Sequence, residues 1–191
     1  MRLSKIKSVC RACKQIRLLT ADEVVDNMVV QWIGVDSALY PVTGTLLNLP
    51  TLGAVWELGD RLEDFDAAEG RYTDMVERGL LEPWDAEVLR RVPLQVDAAS
   101  MPEIQMGEIN GYLGMADGPE LICYIKEWLL EPCRGMGRLG YDHVGGAGDA
   151  QWVAVYADGV LVGLIRPETQ GVADVISKEL KAMAARTPWG V

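Results

Sequence analysis

Histidine and phenylalanine are nearly absent, with one of each in 191 residues. The single histidine, His143, cannot complete a four-ligand zinc site with Cys10-x-x-Cys13, because Cys123 and Cys133 have the wrong spacing for a second pair. With one phenylalanine, the six Trp and six Tyr carry the aromatic packing. No G-x-S-x-G is present to supply a serine nucleophile, and no Walker lysine to hold a phosphate. No apolar run approaches the roughly 18 residues of a membrane span. The opening segment, MRLSKIKSVCRACKQIRLL, has no continuous apolar stretch and no small-residue cleavage site, so it reads as a poor secretory signal and the expected compartment is the cytoplasm.

The composition is that of a globular chain, long enough for one domain or two small ones, and 49% hydrophobic residues can fill a core. A single domain over residues 1–191 is expected, with a possible two-lobed body joined near 97–108. The net charge of −10 is unevenly spread. Residues 1–17 carry six cations and no acid, leaving −16 on the rest, and residues 57–87 hold eleven carboxylates against three arginines. An acidic body of this kind repels nucleic acid as a whole, although the basic segment could touch phosphate locally. The alternative is that its cations dock on the acidic surface of their own domain or stay solvated.

The strongest local signal is QWVAVYADGVLVGLIRP at 151–167. Asp158-Gly159 suits a tight hairpin turn, and its flanks are apolar at nearly every position. That pattern predicts a hairpin buried on both faces, central to a sheet covered on each side. Residues 3–14 read as an amphipathic helix, and Leu3, Ile6, Val9, Cys10, Cys13 and Ile16 share one helical stripe. Both thiols are therefore expected to face the core as inert cysteines. Strands are expected at 15–20, 28–35 and 38–42, the last two around Asp36-Ser37, with a turn at 46–50. Helical periodicity over 54–81, interrupted or ended at Gly70, places Leu58, Leu62, Phe65, Tyr72, Met75, Val76 and Leu80 on one face. A strand at 88–96, a polar connection at 97–108 and a hairpin of 109–115 with 121–124 follow. Then come a short helix at 125–130, a glycine-rich mobile loop at 135–149 and a closing helix at 172–185. VVQWIGVDSALYPV at 29–42 echoes AQWVAVYADGVLVGLIRP at 150–167, and both duplication and the general likeness of apolar hairpins account for it.

Gly135-Met136-Gly137-Arg138-Leu139-Gly140 matches G-x-G-x-x-G by letters. No strand precedes it and no helix can follow through YDHVGGAGD, so the phosphate-binding context fails. His143, beside Asp142, could serve as a base, and a Cys–His pairing stays open because such partners need not be sequence neighbours. Glu63, Asp64 and Asp66 could attract a cation, yet their offsets suit a solvated helix face and match no EF-hand. No catalytic, cofactor or metal residue is assigned and no cofactor is expected. The candidate interaction surface comprises Lys7, Arg11, Lys14, Glu63, Asp64 and Asp66.

WIGVDSALYPV, YIKEWLLEP and AVYADGVLVGLIRP resemble small uncharacterised proteins encoded by prophages and integrative elements of Gram-positive bacteria. A second resemblance is to one domain of the bacterial DNA sliding clamp, in which a strand feeds a helix, a hairpin follows and the last strand ends in aliphatic-x-Pro. Residues 122–130 and 164–167 resemble those parts. The chain is too short for a whole clamp and its acidic body lacks a basic lining. The expected fold is α+β, mostly antiparallel sheet with hairpins, packed by N-terminal, central and C-terminal helices. The expected function is that of a non-enzymatic mobile-element protein that binds another protein, binds nucleic acid at most weakly and has no membrane association. The alternatives are a clamp-like or acidic DNA-mimic module engaging replication or restriction machinery, and an enzyme using His143 and the 135–149 loop.

Overall fold

Apolar residues that alternate between two buried faces organise the chain around one seven-stranded sheet. The structure is a computed structural model that describes residues 3–25, 28–42, 46–99, 101, 105–109, 111–117, 120–145, 151–168 and 178. Helix α1 (Leu3–Cys13) leads into a meander of β1 (Gln15–Val25), β2 (Met28–Val35) and β3 (Ala38–Val42). Helix α2 (Leu49–Val55) and a 3₁₀ segment (Gly59–Asp64) precede β4 (Asp66–Arg71), α3 (Tyr72–Glu77) and α4 (Pro83–Arg91). A separate antiparallel sheet holds β5 (Gln105–Ile109), β6 (Tyr112–Asp117) and β7 (Glu120–Lys126). A second 3₁₀ segment (Glu127–Leu130) returns the chain to a second meander, β8 (Leu139–Gly145), β9 (Gln151–Ala157) and β10 (Val160–Ile165). The large sheet runs β4-β1-β2-β3-β10-β9-β8, antiparallel except for the β1–β4 pair. The architecture is α+β and mostly antiparallel.

Neighbouring strand residues point to opposite cores. Leu18, Ile33, Val153 and Val155 pack with α1, α2 and the second 3₁₀ segment, whereas Leu19, Trp32, Trp152 and Ala154 pack with α3 and α4. Helical cover on both faces is why β2, β9 and β10 read as nearly continuous apolar runs. Val155 and Leu164 are both 0% exposed, as the hairpin pattern predicts. Asp158 and Gly159 take φ of 48° and 81°, the two positive values of a tight hairpin turn. Gly159 is also needed for space, since a Cβ there would lie 2.4 Å from the Val96 carbonyl oxygen.

The echo between the two hairpins has a structural counterpart. The strand order is one meander followed by the other in reverse, and Trp32 and Trp152 lie fully buried in the same core. Two residues beyond each tryptophan, Gly34 pairs with Leu39 and Ala154 with Leu164. Leu39 and Leu164 then pair with each other at the β3–β10 seam. The two meanders therefore meet in equivalent register at this pair of leucines.

Several expectations are corrected. The helical stretch expected over 54–81, interrupted or ended at Gly70, is four elements, because β4 pairs in parallel with β1 through Gly70, which lies opposite Leu19. The strand at 88–96 is instead α4 followed by an extended strap, in which Gln95 bridges Val160 and Leu161 N–H donates to the Leu94 carbonyl. Its helical signals are Pro83 in the first turn, Asp85 beside it, and Arg90 and Arg91 at the end. The turn at 46–50 contains the start of α2, capped by the Asn48 side chain accepting from Thr51 N–H at 2.8 Å. β1 continues beyond Thr20 through an irregularity before Val24. Part of the 135–149 loop is β8, paired with β9 over seven positions. The closing helix at 172–185 lies outside the described residues except for helical Lys178.

Candidate functional site

Of the six residues of the sequence-derived interaction surface, Arg11, Lys14, Asp64 and Asp66 come together at the C-terminal end of α1, whereas Lys7 lies in the middle of the helix. Arg11 and Lys14 line a recess of about 560 Å³ with Leu58, Arg61, Asp64 and Phe65. Glu63 is exposed on the adjoining 3₁₀ segment. Asp66 stands at the start of β4, where its N–H donates to the Lys14 carbonyl at 2.9 Å. Lys7 donates to the Trp56 carbonyl and Lys5 pairs with Glu131, so part of the basic helix is docked on its own domain. Arg17 is the most committed cation of the segment. Only 5% exposed, it reaches Asp36 at 2.8 Å and Asp66 at 2.7 Å. Burial opposes its charge, but the hydrogen bonds to Asp66 and Asp36 outweigh this and raise its pKa. The same contacts from Arg17, with help from Gln15, hold the Asp66 carboxyl below its ordinary range.

Cys10 is buried, whereas Cys13 is exposed and so corrects the expectation of two core thiols. The helix ends at Cys13, and the chain turns through Lys14 at φ 52° before the stripe can close over it. Burial pushes the Cys10 and Cys133 thiols up to about 12 and Cys123 to about 11, which disfavours the thiolate. His143 is exposed on β8, where the loop was expected. Gly140 of the G-x-G-x-x-G run belongs to that strand, so the run leads into a strand, not a phosphate-binding helix. Among the described residues no group of three or more His, Cys, Asp or Glu is placed to hold a metal.

The site that sequence reading missed surrounds α4. Three polar or charged side chains are buried among the described residues, Arg17, Gln31 and Asp85, and two of them line one recess of about 300 Å³. Asp85 enters because α4 buries Asp85, Val88, Leu89 and Val92, an i, i+3, i+4, i+7 stripe with a carboxylate at its head. That acid on an apolar stripe was the available signal. Asp85 accepts from Trp152 Nε1 at 2.8 Å and pairs with Arg166, whose guanidinium carbon sits 4.8 Å from the Trp152 ring centroid. Arg166 Nε is itself buried, with no hydrogen-bond partner. Asp36 and Glu82 complete the polar wall, and Leu19, Leu39, Leu80 and Leu81 the apolar one. Glu82 also occupies the N-cap of α4 without a side-chain capping bond.

Two apolar recesses adjoin the other end of the helix. One of about 620 Å³ lies between α4 and β1, with Val30, Tyr72, Leu89 and Leu94 in its wall. Arg90 bounds it, 2.8 Å from Asp22 and stacked over Tyr72 at 5.9 Å. The other, about 310 Å³, lies between Trp84, Val88 and the β8 residues Val144 and Gly145. Val92 and Pro93 line both, so the two meet at the helix end. Trp84, on α4, is 53% exposed. No family model, curated protein or solved structure matches the chain.

Proposed function

We propose that the protein is a non-enzymatic binding module of a prophage or mobile element, acting on another protein in the cytoplasm through the surface around α4. The observation that carries this reading is the exposed Trp84 in the wall of the recess of about 310 Å³, which meets the recess of about 620 Å³ at Arg91, Val92 and Pro93. Exposed apolar area of this kind rimmed by charged residues marks interaction sites, and tryptophan is the residue type most enriched among those that dominate binding energy. Four free cysteines suit a reducing compartment. Among the described residues no helix is long and apolar enough to cross a membrane.

A peptide library displayed on phage and selected against the purified protein tests the reading. Peptides with an apolar anchor should emerge, and Trp84→Ala should weaken them at least about tenfold, or roughly 1.4 kcal/mol. No enrichment, or peptides indifferent to every substitution around α4, would sink it.

A second reading has its own support. β7 runs into the second 3₁₀ segment, two hairpins follow, and β10 ends at Ile165 before Arg166-Pro167. The clamp resemblance rests on a similar order, with a helix where this chain has a 3₁₀ segment and with one hairpin, and the partial agreement favours a clamp-like or acidic-mimic module engaging replication or restriction proteins. Binding to a purified clamp-loading or restriction protein, lost when the acids at 57–87 are neutralised, would decide for it.

A further inference from the structure

We propose that the outer edge of β8 receives an extended segment of the partner protein, laid parallel to the strand, with an aliphatic side chain at the recess between Trp84 and Val144 and a Lys or Arg two places earlier beside Asp142. The inference rests on the protein-binding reading and assigns the conformation and chemistry of the bound segment.

The two meanders differ at their outer edges. Trp32 pairs with Leu19 of β1, and Trp152 pairs with Val144 of β8. Two residues further on, Gly34 pairs with Arg17 and Ala154 with Asp142. Val144 therefore holds in the second meander the place of Leu19 in the first, and Asp142 that of Arg17. β1 has β4 on its outer side, running parallel, with Ala68 beside Arg17 and Gly70 beside Leu19. β8 ends the sheet, and among the described residues no strand pairs with its outer side. The fold thus illustrates what that side accepts: a parallel strand with one residue beside Asp142 and the next but one beside Val144.

β8 is also the less protected edge. An open edge offers unpaired N–H and C=O groups to an incoming strand, and charge, lysine, proline or a bulge usually blunts it. β4, at the other end of the sheet, carries Asp66, Glu69 and Arg71 in a short strand. β8 carries one acid, no Lys or Pro, and an unbroken register with β9 from Leu139 to Gly145. Met101 packs against Gly140, where a Cβ would lie 2.6 Å from its sulfur, so the length left for a partner runs from Tyr141 to Gly145. That is a common strand length.

The chemistry of the segment follows from what faces it. Val144 packs toward α4 and lines the recess of about 310 Å³ with Trp84 and Val88, so a side chain beside Val144 meets apolar surroundings. That volume is at the small end of ligand sites and suits a single side chain, and Glu87 and Arg91 in its wall are paired with each other. Alternation puts Asp142 on the same face as Val144. A cation beside Asp142 meets a carboxylate on a body of −10, and opposite charges on neighbouring strands favour pairing. An acid in that place would be repelled.

The test uses the whole protein and short randomised peptides with a central Val or Leu, preceded two places earlier by Lys or by Glu, and reads binding by fluorescence anisotropy. The Lys set should bind about tenfold more tightly than the Glu set, with an affinity that falls as salt rises. Asp142→Asn should remove that preference, and Val144→Lys should weaken binding about tenfold or more, with circular dichroism and thermal melting confirming that each variant folds. The best peptides are then N-methylated at alternate main-chain positions, a series that needs no protein variant. One alternate set should abolish binding and the other leave it intact, because only every second residue turns its main-chain groups toward β8. A nitroxide at the peptide amino terminus should broaden the Tyr141 amide more than the Gly145 amide, and the reverse order would overturn the parallel placement. Equal binding of the Lys and Glu sets, or N-methylation tolerated at every position, would overturn the inference. So would outward β8 amides already protected from hydrogen exchange in the free protein: in a monomer the chain covers its own edge, and in a dimer a second copy does. If peptides bind and respond to Trp84→Ala but to none of the β8 tests, the strand inference fails and the protein-binding reading stands. If no peptide of either set binds, both fail.

Discussion

At the scale of single residues, the ionisable groups set the pH range in which the fold is stable. Arg17 and Gln15 depress the Asp66 carboxyl, and the hydrogen bond from Lys5 depresses Glu131. At Asp22 burial opposes the charge, but Arg90 and Thr73 overcome it and the carboxyl is again lowered. A carboxylate whose pKa is lower folded than unfolded stabilises above the unfolded value, near 3.9 for Asp and 4.3 for Glu. That contribution disappears as pH falls through the folded value. Buried thiols act in the opposite direction. With Cys10 and Cys133 pushed up to about 12, their contribution is complete below the ordinary thiol value near 8.5 and lost as pH rises toward 12. The melting temperature should therefore be flat from about pH 5 to 8 and fall on both sides. Asp66→Asn should lower the plateau and make the acid limb shallower. A melting curve unchanged down to pH 2.5, or an Asp66→Asn protein with an identical acid limb, would show that the Arg17 network does not govern acid stability.

At the scale of elements, the β9–β10 hairpin makes the sharpest demand. Val155 lies on β9, an interior strand between β10 and the edge strand β8, with Tyr141 and Gly163 across from it and helical cover beyond. Val155→Asp places a charge with no partner in that layer, a penalty of several kcal/mol against a typical margin of about 5–15 kcal/mol. The variant should fail to accumulate as soluble protein, and a soluble, folded Val155→Asp protein would refute the buried interior placement of β9. This hairpin, α1 and the β2–β3 pair were legible in the sequence because each depends on a local pattern: a positive-φ turn, a helical stripe, runs of apolar residues. The stretch from 54 to 96 was not. Leu58, Leu62 and Phe65 fit a helical period, but β4 exists only because β1, about 50 residues earlier, offers a parallel edge, and no local signal records a non-local partner. α4 was misread for a different reason. VLRRVPLQV looks like a strand if read from Val88, while the signals that open the helix, Pro83 and Asp85, lie before it. The recess around Asp85 and Arg166 joins residues 81 positions apart, so only the incongruous acid on the α4 stripe hinted at it.

For the whole molecule, charge and the continuity of the two meanders decide which partners can approach. The two meanders meet at the Leu39–Leu164 pair, and both cores draw residues from each, so the electrostatic character belongs to one continuous body. That body carries −10, and the fold spends much of its basic N-terminal segment internally. Lys5 is held by Glu131, Lys7 by the Trp56 carbonyl and Arg17 by Asp36 and Asp66. Arg11 and Lys14 face outward and are joined by Arg61 around one recess, with Asp64 also in its wall. Three cations neutralise a few phosphates at best, and the acids at 57–87 begin immediately beside them. Binding to duplex or single-stranded DNA should therefore be no tighter than about 10 μM at physiological salt, short of the range of specific DNA-binding proteins. Fluorescence anisotropy across a salt series checks this directly. Submicromolar binding with a steep salt slope, abolished by Lys7→Glu and Arg11→Glu, would mean that the local basic patch overrides the acidic body, and the surface around α1 would then replace that around α4 as the site of function.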